Sequence, residues 1–212
     1  MDFIWMVPVA FAFYVYGSIP FAYILVRRKT GERIFERGSG NVGVANAFRI
    51  GGLPAGMMTA AGEMSKALLP LLASFLLFEY DMTANVLFTG AALLGTNLSI
   101  FLRRKSGLGT TCVIYSLLIM SPFSLLGFLG AMGLGFVLTK RNGYVSGLVG
   151  YFSLPILLLI FNDSLQLVFW GAYAAVLFAL MFSKERDEYK HGFGYRKDSK
   201  NDRVRERGED AG

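Results

Sequence analysis

The sequence predicts an all-α integral membrane protein: seven transmembrane helices with glycine-rich loops on the cytoplasmic side. Three observations carry that expectation. The chain is 54% apolar and only 17% charged over 212 residues, against about 45–50% and about 25% in an ordinary soluble domain. Nearly half of the charged residues lie beyond residue 182, so those that remain are too few to coat a water-soluble surface. The basic residues, finally, recur at alternate connections between apolar stretches. Apolar content also excludes disorder for the body of the chain, and a single cysteine, Cys112, excludes a disulfide scaffold.

A helix needs about 20 mostly apolar residues to cross the hydrocarbon core. Spans are expected near 3–26, 53–78, 84–102, 109–121, 123–139, 144–161 and 165–182. The fourth is short, and Ser121-Pro122 could mark either a bend in one element or a turn between two. Proline lacks an N–H and favours a break, so two spans with a tight turn are preferred. The first span is too long for a signal sequence's apolar region and lacks a basic leader and cleavage site, so it is expected to be kept.

Charge placement decides the number of crossings. Twenty of the 21 Lys and Arg fall in four places: six in 27–52, three in 103–105, two at 140–141 and nine in 183–212. The connections at 79–81, 121–122 and 162–163 carry none. Basic and non-basic connections alternate strictly only with seven crossings. The positive-inside rule then puts the amino terminus outside and the carboxyl terminus in the cytoplasm of a multi-pass plasma-membrane protein. The positive net charge is thus a topology signal, and no nucleic-acid partner is implied. Residues 1–182 form the transmembrane domain. Residues 183–212 mix acids and bases with little apolar matter and read as a disordered cytoplasmic tail.

Two cytoplasmic connections carry chemistry. In Gly38-Ser39-Gly40-Asn41-Val42-Gly43, the glycines allow backbone N–H groups to turn toward one point as a nest for an anion. A short helix over 44–49 adds its positive end. Asn46 and Arg49, three apart, project from one face of it, and Arg49 brings a forked donor suited to phosphate. A tight turn with an interfacial anchor accounts for the same spacing. In Arg103-Arg104-Lys105-Ser106-Gly107-Leu108-Gly109-Thr110-Thr111, three cations precede paired glycines and two hydroxyls. A topology cluster with Thr110 as a helix cap explains the cations but not Gly107 and Gly109.

Within the second span, Glu63 and Lys66 lie about 15 Å into a helix starting at Leu53. An ionised residue near mid-bilayer costs a few kcal/mol and rarely persists without a role. A local Glu63–Lys66 pair beside a polar cavity would satisfy that requirement. Gly52, Gly56 and the glycines at 127, 130, 133 and 135 are expected at close helix contacts. Cys112 is expected to be a small buried thiol. His191 stands alone in the tail, so neither a metal site nor a Ser-His-Asp set can be assembled, and no cofactor is expected.

These motifs carry a resemblance. Gly17-Ser18-Ile19-Pro20-Phe21, the run from Gly38 to Gly43 with Asn46 and Arg49, the Glu63/Lys66 pair, Gly95 to Gly109, Ser121-Pro122 and Gly143-Tyr144-Val145-Ser146 resemble the acyl-phosphate:glycerol-3-phosphate acyltransferases, the PlsY family. The resemblance covers nearly the whole membrane part, and the family's seven-span topology agrees with the charge count. It implies transfer of an acyl group from acyl phosphate to the sn-1 hydroxyl of glycerol 3-phosphate, giving lysophosphatidic acid for phospholipid synthesis. The implied partners are those two substrates and membrane lipids. By the same resemblance Ser39, Gly40, Asn41, Gly43, Asn46 and Arg49 form one phosphate subsite, and Lys66, Lys105, Gly107, Gly109 and Ser146 line the rest. Lys66, Lys105 and Asn46 are the residues expected to act in catalysis.

The chain departs from the family in three places. Gly95-Thr96 stands where the family has Gly-His. Leu108 replaces a lysine, and Ser183 to Glu188 replaces a final Arg-His-Arg motif. The second reading is therefore a non-catalytic membrane protein that binds or transports a phosphorylated lipid precursor.

Overall fold

The structure is a computed structural model that describes residues 3–102, 106–139, 143–162 and 164–183. The expected tail from residue 184 onward, with His191, lies outside the described residues, as do Arg103, Arg104, Lys105, Lys140 and Arg141. Among the described residues eight α-helices run in order: α1 Met6–Gly17, α2 Phe21–Thr30, α3 Val44–Phe78, α4 Met82–Asn97, α5 Thr110–Met120, α6 Pro122–Leu138, α7 Gly143–Phe161 and α8 Leu165–Ser183. Counted as crossings, with α1 and α2 together as the first, they make seven among the described residues. Met6–Thr30 and Val44–Phe78 are each long and apolar enough to span a bilayer alone. Side chains such as Phe75, Leu76, Leu126, Phe152 and Phe169 are exposed on the outer faces. So much exposed apolar surface suits lipid rather than water.

The first expected span is broken where a continuous helix was expected. Proline 20 has no N–H to donate and precedes α2, so the chain turns at 18–20. The break also follows from close packing of α1 on α4. A Cβ on Gly17 would stand 2.1 Å from the Ala92 carbonyl oxygen, and one on Gly95 would stand 2.1 Å from that of Tyr14. The Ser18 carbonyl freed by the break accepts from Ser99 Oγ at 2.6 Å. That contact helps to end α4 at Asn97 rather than at the expected 102.

The short helix over 44–49 and the span beginning at 53 are both present. They are one helix, α3, interrupted at Gly52 with φ 68° and ψ −169°. Gly52 therefore serves a kink rather than a helix contact, while Gly56 makes room for the Phe48 ring. At Ser121-Pro122 two helices meet, as preferred: Pro122 opens α6, and Asn162 Nδ2 donates to Ser121 Oγ at 2.7 Å. Of the α6 glycines, Gly127 packs on Leu157 and Gly135 on Ser146 and Val149. Gly130 and Gly133 have nothing within 4 Å of an added Cβ, so these two are not close helix contacts. The core lies among α4, α5, α6, α7 and α8 and includes Leu93, Val113, Phe128, Tyr151 and Trp170. Cys112 is buried within it, as expected.

Candidate active site

The connection between α2 and α3 is folded around one side chain. Ile34 and Val42 anchor it on Ala22, Val26 and Ala47. Between those anchors Asn46, 2% exposed, donates from Nδ2 to the carbonyls of Ile34 (3.1 Å), Arg37 (3.1 Å) and Asn41 (3.0 Å). Its Oδ1 accepts from the Ser39 N–H at 3.0 Å. Gly38, at φ 59°, approaches so closely that a Cβ would stand 2.2 Å from that oxygen. The Gly40 N–H, in turn, donates to Arg37 O at 3.0 Å.

The N–H groups of Ser39 and Gly40 thus point into the loop, which is not the anion nest expected of them. The Asn46 amide holds the Ser39 N–H and the Arg37 carbonyl holds that of Gly40, so both donors are already engaged within the loop. Asn46 and Arg49 also diverge: Asn46 is buried and Arg49 exposed.

What the loop presents instead is its far end. Asn41, Gly43, Val44 and Ala45 border a cavity of about 520 Å³. The second loop reaches the same place. Its Gly107 lies against the first loop, where a Cβ would stand 2.5 Å from Val42 O. Ser106 Oγ donates to the Asn97 carbonyl. Gly109, at φ 70°, is the N-cap of α5. Thr110 is therefore the first helical residue rather than the cap, and its Oγ1 accepts from the Tyr151 hydroxyl at 3.2 Å. Gly143, at the start of α7, is a third helix end on the same cavity.

The amino termini of α3, α5 and α7 therefore converge. Each carries orphan N–H groups and a partial charge of about +0.5.

The buried pair sits behind this convergence. Lys66 Nζ lies 2.9 Å from Glu63 Oε1, with side-chain exposures of 2% and 8%, and 5.4 Å from the centre of the Phe21 ring. Lys66 borders a separate chamber of about 10 Å³, room for one water, whose walls include Ser18, Thr96, Ser99 and Ser106. Glu63 and Thr96 border both spaces, so of the pair only the acid reaches the larger cavity. Ser146 Oγ donates to Met132 O at 2.6 Å, inside the α6–α7 contact.

The structure thus brings Asn41, Gly43, Gly107 and Gly109 to the cavity, with Lys66 one layer behind. Ser39, Gly40, Asn46, Arg49 and Ser146 are not on its walls, and Lys105 lies outside the described residues. Sequence reasoning missed Glu63 as a wall residue, the α7 amino terminus, and the apolar walls Phe48, Met132 and Phe178. A helix start directly after the basic pair Lys140-Arg141 was the available signal for the second of these.

The glycerol-3-phosphate acyltransferase family matches residues 7–192. The chain belongs to that family. A glycerol-3-phosphate acyltransferase of Pelagibacter ubique is 31% identical over 86% of this chain and 91% of its own. One from Carboxydothermus hydrogenoformans is 29% identical over 84% and 87%. Crystal structures of PlsY, an integral membrane glycerol 3-phosphate acyltransferase, share the fold at 22% identity. The glycerol 3-phosphate form has a TM-score of 0.75, covering 92% of this chain and 97% of that one. The lysophosphatidic acid form has 0.72, covering 90% and 94%. As a member of the glycerol-3-phosphate acyltransferase family, the chain is an enzyme and an integral membrane protein, and the all-α membrane fold expected from the sequence is the one found.

Proposed function

We propose that the enzyme transfers an acyl group from acyl phosphate to the sn-1 hydroxyl of glycerol 3-phosphate in the cavity among α3, α5 and α7. The observation that carries this is the convergence of three helix amino termini on one space with apolar walls. Both substrates bear phosphate, and one bears a fatty chain, so the cavity offers each part a matching surface. In the reaction the hydroxyl oxygen forms a bond to the acyl carbon, the bond from that carbon to the phosphate oxygen breaks, and phosphate leaves with the proton that the hydroxyl gives up. The anhydride is already activated, so binding, alignment and stabilisation of developing negative charge are the main tasks. Orphan N–H groups at three helix ends meet that need without a protein nucleophile.

In this reading Asn41, Gly43, Gly107 and Gly109 meet the phosphates, while Arg49 and Lys105 add positive charge on the loop side. Lys66 holds Glu63 at the cavity wall. Asn46, with Ser39 and Gly40, fixes the first loop, and Ser146 fixes α7 against α6; these are positioning residues. The basic loops face the cytoplasm and the amino terminus faces outward. Purified protein supplied with an acyl phosphate and labelled glycerol 3-phosphate should form labelled lysophosphatidic acid. Labelled substrate that binds without conversion would overturn this reading of the cavity.

A further inference from the structure

On the α6–α8 side, the apolar wall of the cavity is built by two side chains laid across α7. Met132, from α6, lies over Gly150, where a Cβ would stand 2.3 Å from its Cγ. Phe178, from α8, lies over Gly147, where a Cβ would stand 2.4 Å from its Cζ. Neither glycine has a positive φ, so what each supplies is space rather than an unusual backbone. Both side chains, Met132 and Phe178, border the cavity.

They differ in stiffness. The Phe178 ring stacks on Tyr151, with centroids 4.1 Å apart and planes at 15°. Tyr151 meets Phe128 edge-on at 5.4 Å and is tied by its hydroxyl to Thr110 at the start of α5. Phe178 is thus backed by a fixed aromatic, whereas Met132 is an unbranched side chain able to repack. Their depth is also informative. Met132, Gly147 and Phe178 stand four to six residues inside the loop-side ends of α6, α7 and α8, roughly 6–9 Å below them. A chain attached to a phosphate at the helix ends must run over these residues.

We propose that Met132 and Phe178, seated on Gly150 and Gly147, determine the length of acyl chain that the enzyme accepts. The inference rests on the acyl-transfer reading above. Phe178 is the fixed stop and Met132 the adaptable wall. The test measures transfer to labelled glycerol 3-phosphate from a graded series of saturated acyl phosphates, by the full chain purified in detergent. Rates are compared as ratios between chain lengths, so that loss of active protein cancels.

Phe178→Ala should move the preferred chain to longer homologues, with a gain of roughly four-fold in relative rate for each further methylene accommodated. Gly147→Ala, which drives the ring toward the cavity, should move it to shorter ones. The KM for glycerol 3-phosphate should stay at the wild-type value in both. Phe178→Leu and Met132→Ala give the same readout if the first variants fail to fold. Unchanged chain-length ratios in the folded variants would overturn the proposal while leaving acyl transfer intact. A wild-type protein that transfers from no acyl phosphate would remove the underlying reading and the proposal with it.

Discussion

The buried pair offers the sharpest test of how the site is held together. Lys66→Met keeps most of the stem volume and removes the ammonium group. It also removes the 2.9 Å contact with Glu63 and the cation–π contact with Phe21. Both partners are almost fully buried, so the remaining carboxylate meets water only at the cavity edge and regains little of the lost interaction. Breaking a buried pair from one side costs about 3–5 kcal/mol. For a chain of this size that corresponds to a fall in Tm of roughly 6–20 °C.

Glu63→Gln combined with Lys66→Met removes both charges at nearly constant shape and should recover most of the loss. The assay is thermal unfolding in one detergent for wild type, both single variants and the double variant, analysed as a double-mutant cycle. Turnover should not return with stability, because the acid that borders the cavity is gone. A Lys66→Met protein as stable as wild type, with nothing regained in the double variant, would refute the structural role given to the pair. Turnover restored in the double variant would refute a part for Glu63 at the cavity wall.

Asn46→Asp should loosen the first loop, because a carboxylate cannot donate to the carbonyls of Ile34, Arg37 and Asn41. Hydrogen exchange over 31–43 should speed up, and the KM for glycerol 3-phosphate should rise at least about ten-fold, equivalent to one lost hydrogen bond of about 1.4 kcal/mol. Gly107→Ala should leave overall stability within about 1 kcal/mol, since only two loops must separate. The same change should weaken phosphate-substrate binding, read as KM, because Val42 and the start of α3 are displaced. Cysteines placed at Glu79 and Glu36 in a Cys112→Ser protein should label from opposite sides in intact cells, the first from outside. Labelling of both from one side would remove the seven-crossing orientation.

The crossings were legible because cations sort by membrane face, whatever the packing. The two parts of α3 were legible as a short helix over 44–49 and a span from 53, but the kink that joins them was not, because a glycine four residues before Gly56 reads equally as a helix contact. The break at 18–20 was not, since Ser18-Ile19-Pro20 lies within an otherwise unbroken apolar run. The inward turn of Asn46 was hidden for a related reason. Spacing gives the face of a helix, and only the fold of residues 31–43 shows that a loop covers that face. Met132 and Phe178 were invisible as site residues because apolar side chains occupy both the interior and the lipid face of a membrane protein. Periodicity therefore loses the inside-outside contrast it carries in water.

Topology itself supplies much of the site's electrostatics. In a chain whose successive helices reverse direction, α3, α5 and α7 all begin on the face from which the basic connections extend. Their partial positive ends and the loop cations therefore add on one side of the membrane. An anion at the cavity feels three helix ends before any side chain is counted. That gives a physical account of two features that side-chain inspection alone leaves unexplained. Arg49 stands off the cavity wall without leaving the site uncharged. Thr96 and Leu108, where the family carries a histidine and a lysine, border a cavity on which three helix amino termini already converge. Rates measured against ionic strength would separate the two contributions. Loop cations are screened over about 8–10 Å at 0.1–0.15 M salt, whereas helix ends inside the cavity are not. A KM for glycerol 3-phosphate that rises only a few-fold from low to physiological salt would mark the helix ends as dominant. A steep rise would return the main role to Arg49, Lys105 and their neighbours.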